Sequence, residues 1–129
     1  MIGIVIVAHG GLASEYLAAM EHVVGKQSGI RALRISADSD RGATQAEICN
    51  AIIDVDDGSG VVVVTDLYGS SHAQLCVSAC GGPNAHVVYG ANLPLLLKLA
   101  KSRAKPIADA VHGAVQAGRK YIDSVPRAH

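Results

Sequence analysis

The chain has no phenylalanine and no tryptophan, and only four tyrosines among its 129 residues. That scarcity argues against an aromatic-rich sandwich core. Neither sign of charge is in excess, with Lys plus Arg at 11 and Asp plus Glu at 11. No basic patch is interleaved with aromatics, so the composition points away from nucleic acid and from anionic membranes as partners. Long hydrophobic runs are also missing. Met1–Ala8 and Val61–Val64 fall far short of the roughly 20 apolar residues of a membrane span. The first run has no basic stretch before it and stops at His9, unlike a signal peptide. The three cysteines are odd in number and form no secreted framework, which places the chain in a reducing cytoplasm. No repeat, low-complexity tract or Pro/Gly/Ser linker divides it, so residues 1–129 read as a single domain.

What is present is aliphatic: half of the residues are hydrophobic, chiefly Val, Ile, Leu and Ala. Ile2–Ala8 and Gly60–Thr65 are unbroken apolar runs, the pattern of strands buried on both faces. Ile30–Ser36 is interrupted by Arg31 and Arg34 and reads as an edge strand; Ala85–Tyr89 reads as a fourth. Between them lie helical patterns over Leu12–Gly25, Arg41–Val55, Ser70–Cys80, Asn92–Arg103 and Pro106–Asp123. The inward positions read as Leu12, Tyr16, Met20 and Val23/Val24 in the first helix, and as Ala46, Ile48, Ile52 and Ile53 in the second. Gly25 and Gly29 end the first helix, and Pro94 sits in the first turn of the fourth. Strands and helices alternate over short connections, which predicts a three-layer α/β/α fold with a mainly parallel, flavodoxin-like sheet of order 2-1-3-4.

In such a sheet ligands bind beyond the carboxyl ends of the strands, where the strand order reverses. The first strand ends in Ala8-His9-Gly10-Gly11, and the third in Thr65-Asp66-Leu67-Tyr68-Gly69-Ser70-Ser71. The topology therefore brings a histidine and an aspartate to one cleft. A neutral imidazole nitrogen attacks phosphorus well, and a carboxylate at the other ring nitrogen fixes the tautomer and offsets the developing positive charge. Gly10, Gly11, Ser70 and Ser71 stand at helix starts, where backbone N–H groups and hydroxyls suit a phosphoryl group without metal or cofactor. Each residue also has a plainer use. His9 can simply close a strand, and Asp66, Ser70 and Ser71 can be caps.

Three segments, "IVIVAHGGLASEYLAAMEHVVG", "VVVVTDLYGSSHAQL" and "VVYGANLPLLLKLA", resemble IIA components of the mannose-type (mannose/fructose/sorbose) phosphoenolpyruvate-dependent sugar phosphotransferase system. The resemblance spans essentially the whole chain. It implies a phosphocarrier with a transient phosphohistidine. His9 matches the phosphorylated residue, Asp66 its paired carboxylate, and Ser71 the hydroxyl of the following turn. The implied donor is a histidine-phosphorylated, HPr-like carrier protein, and the implied acceptor is a IIB domain. No IIB segment follows in this sequence, so the expectation is a separate IIB partner or a regulatory carrier whose phosphorylation state is the output. The resemblance also implies a homodimer that exchanges an edge strand near the C-terminus, here around Tyr121–Val125. One departure stands out: the family turn reads Gly-Gly-Ser/Thr-Pro where this chain has Gly69-Ser70-Ser71-His72.

Two alternatives stand beside this reading. One is the phosphocarrier subunit of dihydroxyacetone kinase, whose later motifs differ from "TDLYGSS" and "GANLPLL". The other is a non-catalytic small-molecule-binding or regulatory module on the same fold. Its fingerprint is weak, because Gly10-Gly11 is not a full dinucleotide-binding glycine pattern. His72 could complete a two-histidine, one-carboxylate metal set with His9 and Asp66; the reading kept is a solvent-facing residue on the third helix. Cys76 and Cys80 share a helix face and read, with Cys49, as free core cysteines. His22, His86 and His112 have no placed partners. Tyr68 is either a shield for the cleft or an ordinary surface residue. Asn92 reads as a helix cap.

Overall fold

The computed structural model describes residues 1–35, 41–67 and 70–127. The strands are β1 (Gly3–His9), β2 (Ile30–Ile35), β3 (Val61–Thr65) and β4 (Ala85–Val88). The helices are α1 (Leu12–Val24), α2 (Arg41–Val55), α3 (Ser70–Cys80), α4 (Leu93–Lys101) and α5 (Ile107–Lys120). All strand pairings are parallel and the order is β2-β1-β3-β4, as the alternation predicts. β1 and β3 are central. Ile2 through Ala8 and the whole of β3 are buried because each side of the sheet carries a helical layer.

Alternation along the strands divides the core in two. Ile4, Ile6, Ala8, Val62 and Val64 face α1, α4 and α5, whereas Val5, Val7, Val61 and Val63 face α2 and α3. The inward stripes differ in detail from the periodicity reading. α1 turns Ala13 and Met20 inward and leaves Leu12 and Val23 exposed; α2 buries Ile48, Ala51, Ile52 and Val55 while Ile53 is exposed. In both cases the helix rotates to bring small alanines against the sheet, which lets the layers approach. Gly3 has the same use. A Cβ there would lie 2.7 Å from Val55 Cγ2 and closer still to the Val55 carbonyl oxygen.

One further correction concerns residues rather than elements. Cys49 and Cys80 do pack at the core, but as a disulfide joining α2 to α3, with their Cα atoms 5.9 Å apart. Cys76 is the buried free thiol, and its burial pushes the thiol above its ordinary pKa. The strand expected around Tyr121–Val125 is one exchanged between two copies of the chain. Those residues follow α5 as an exposed segment without strand pairing.

Arg103, which the sequence reading passed over, is 4% exposed in the α4–α5 connection. Its Nε donates to the Ile2 carbonyl at 2.7 Å, and its terminal nitrogens donate to Gln27 Oε1 and the Gly29 carbonyl, each at 3.2 Å. Its own carbonyl accepts the Ile2 N–H at 2.9 Å. One side chain thus ties the start of β1, the α1–β2 connection and the helix pair at the amino ends of the strands. Burial pulls its pKa below the ordinary value, and the fork of donors to carbonyl groups compensates the buried charge.

Candidate functional site

His9 is the last residue of β1, and its position is set by asymmetric pairing. On the β2 side the ladder runs to His9, which pairs with Ile35, and the Gly10 N–H continues it to the Ile35 carbonyl at 3.1 Å. On the β3 side the ladder stops at Val7 and Thr65. Beyond that point the Asp66 side chain replaces the backbone: its Oδ2 accepts the His9 N–H at 2.8 Å. Topology thus brings His9 and Asp66 to one place, and this bond is to the histidine's main chain, where the expectation was a carboxylate at a ring nitrogen. It brings the carboxylate alongside His9 while the residue itself remains exposed.

The chain turns sharply after His9. Gly10 has φ +61°, in the left-handed region that favours glycine, and Gly11 follows as the residue before α1. The Gly10 amide is engaged by β2, so it is not available as a phosphate donor in this conformation. Gly11 is exposed at the α1 N-terminus. α3 begins at Ser70, just after β3, so its N-terminus opens at the same end of the sheet from the opposite helical layer. Ser71 is exposed on its first turn. His9 accordingly lies between the positive ends of two helix dipoles, an environment that favours a bound dianion without a cation. Tyr68 and Gly69 lie outside the described residues, as does the side chain of Ser70.

His72 departs from its solvent-facing reading. It is half-buried, and its Nδ1 is buried with no hydrogen-bond partner among the described residues. Among the described residues no group of three His, Cys, Asp or Glu side chains could hold a metal. The rim of the site is braced from the other side: the Ala91 N–H donates to the Thr65 carbonyl at 3.1 Å, and the Tyr16 hydroxyl to the Ala91 carbonyl at 3.0 Å. Asn92 is a cap, as read. Its Oδ1 accepts the Leu95 N–H at 3.0 Å, and its Nδ2 donates to the Gly118 carbonyl at 3.0 Å.

Residues 3–116 match the family model for the fructose IIA component of the phosphotransferase system. The chain belongs to this IIA family. Its members are phosphocarriers of the phosphotransferase system, and the IIA fold is evident in solved structures as well. The EIIA component from Streptococcus agalactiae superimposes with a TM-score of 0.85 at 23% identity, covering 96% of this chain and 97% of that one. The mannose/sorbose-specific IIA subunit from Enterococcus faecalis gives a TM-score of 0.85 at 21% identity, over 99% and 97%. The IIA protein associated with the fucose utilization operon of Streptococcus pneumoniae gives 0.77 at 26% identity, over 94% and 91%. No curated protein sequence matches the chain. At the coarse level the IIA assignment makes the activity a phosphotransfer, and no described helix is long and apolar enough to cross a membrane.

Proposed function

We propose that His9 carries the phosphoryl group, received from a histidine-phosphorylated, HPr-like carrier protein and passed to a IIB-type acceptor or held as a regulatory signal. The observation that carries this reading is the 2.8 Å bond from the His9 N–H to Asp66 Oδ2, at an exposed histidine between two helix N-termini. A neutral ring nitrogen of His9 attacks phosphorus as the donor's N–P bond breaks, and the donor imidazole leaves with its electron pair. The His9 ring becomes cationic, and Asp66, held on the same backbone, offsets that charge. The phosphoryl oxygens meet Gly11, Ser71 and backbone amides of the two helix starts. Exposure of His9 suits a donor and acceptor that are both proteins. A donor charged from phosphoenolpyruvate places the chain in the cytoplasm. The descriptions of the family and of two of the structures name sugars, which favours this reading over the dihydroxyacetone kinase subunit.

The test is incubation with phosphoenolpyruvate, the first enzyme of the system and its carrier protein, followed by intact mass. The wild type should gain one acid-labile phosphoryl group, His9→Ala none, and His112→Ala, on the exposed face of α5, the same as wild type. Equal labelling of His9→Ala would refute the assignment. Asp66→Ala should accept the group at least roughly tenfold more slowly, since it removes the charge facing the developing imidazolium.

The partner proposal extends to a homodimer. β4 is an open sheet edge, and beside it Val87, Leu95, Val115 and Ile122 line an apolar groove of about 270 Å³. Ile122 and Val125 are 73% and 89% exposed on the segment after α5. Addition of that segment to β4 of a second copy buries both surfaces. Light scattering should show a dimer that Val125→Asp weakens.

A further inference from the structure

Charge is balanced over the whole chain but not along it. Residues 93–121 hold six of the 11 basic residues and one, Asp109, of the 11 acidic ones. Four of the chain's five lysines, Lys98, Lys101, Lys105 and Lys120, line one groove between α4 and α5, on the outer side of that helical layer. Its volume is about 680 Å³. Leu97 and Ala117 contribute an apolar floor, and Gly113 admits the Lys98 stem, whose Cε lies 3.5 Å from where a Cβ would stand. Lys120 Nζ stands 5.6 Å from the centroid of the Tyr121 ring at the upper end. Among the described residues, none of the four ammonium groups has a carboxylate within ion-pair distance.

We infer that this groove is a docking site for an acidic amphipathic helix of a protein partner, separate from the phosphoryl-transfer surface around His9. The occupant follows from charge and shape. Four lysines without an ion pair among the described residues call for an anionic partner, and the apolar floor calls for a partner with an apolar stripe. A small phosphorylated ligand fits less well. The donors are flexible point charges rather than arginine forks, Pro94 has no N–H, and the Leu95 and Leu96 amides are engaged by Asn92. A membrane surface is flat where this site is recessed. The groove runs along α4 from Pro94 to Lys101, about 10 Å at 1.5 Å per residue, so about two turns of a partner helix fill it.

The probe is a synthetic peptide of about three turns with Leu at i, i+3, i+4 and i+7 and Glu on the flanking positions. Its comparators are the scrambled peptide, phosphatidylserine vesicles and inorganic tripolyphosphate. Binding to the full chain should weaken as salt rises, and the Gly113 and Ala117 amide resonances should shift. Lys98→Glu/Lys101→Glu should bind roughly tenfold more weakly with unchanged melting, because both side chains are exposed. Lys98→Gln/Lys101→Gln should fall between. The inference is overturned if the scrambled peptide binds equally, if the charge-reversed variant retains full affinity, or if vesicles or tripolyphosphate bind and the peptide does not. Self-association abolished by the lysine changes, without peptide binding, would assign the groove to a second copy and overturn it too.

Discussion

Replacing Arg103 with methionine tests whether one buried guanidinium holds the amino ends of the strands together. The substitution keeps an unbranched chain of similar reach and removes three hydrogen bonds, to the Ile2 carbonyl, Gln27 Oε1 and the Gly29 carbonyl. They are not equivalent. Gly29 retains the Ile4 N–H at 3.1 Å, and Gln27 is half-buried and can turn to water. The Ile2 carbonyl belongs to a residue with no exposure, so it is left without a donor. An orphaned buried carbonyl costs about 1–3 kcal/mol, and a bond to a charged donor contributes about 1.5–3 kcal/mol. Relief from burying the charge offsets part of this loss. The expected destabilisation is about 3 kcal/mol, a fall in Tm of about 12 °C for a domain of this size. Urea and thermal unfolding measure it, and hydrogen exchange should localise the loosening to the start of β1 and the α1–β2 connection. A destabilisation under about 0.5 kcal/mol would refute the reasoning, because desolvation would then cancel all three bonds.

Other substitutions probe separate features. Gly3→Ala forces a methyl into the Val55 backbone and should destabilise by about 1–3 kcal/mol or more, read by urea unfolding. Cys49→Ser, or reduction of the wild type, should cost about 3.7 kcal/mol from the chain entropy of a 31-residue separation, measured with and without reductant. Asn92→Ala loses the α4 cap and the bond to Gly118, and should lower stability by about 2 kcal/mol in thermal unfolding.

Much of the fold was legible because β1 and β3 are covered on both faces, so their apolar runs are uninterrupted. β2 betrayed its edge position through Arg31 and Arg34, and α2 and α3 run between the limits that periodicity suggested. What escaped the sequence depends on contacts between distant segments. Cys76 and Cys80 are helical neighbours, yet Cys80 bonds to Cys49 because α2 and α3 pack side by side. Arg103 resembles any charged residue after a helix until the Ile2 carbonyl is seen facing it. At the site, topology alone placed His9 beside Asp66. It could not foretell that the carboxylate would take the histidine's own N–H, or that Gly10 would be committed to β2.

The double anchoring of His9 bears on how a carrier delivers its load. Its main chain is fastened to β2 through Gly10 and to the far side of the cleft through a carboxylate, while the residue stays exposed. If His9 carries the load as proposed, turning it between two partners falls to rotation about χ1 and χ2. Such rotations complete in nanoseconds or less when exposed. On that proposal the pace of relay is set by how often the right proteins meet, and the carrier works as a fixed station rather than as a machine with a stroke.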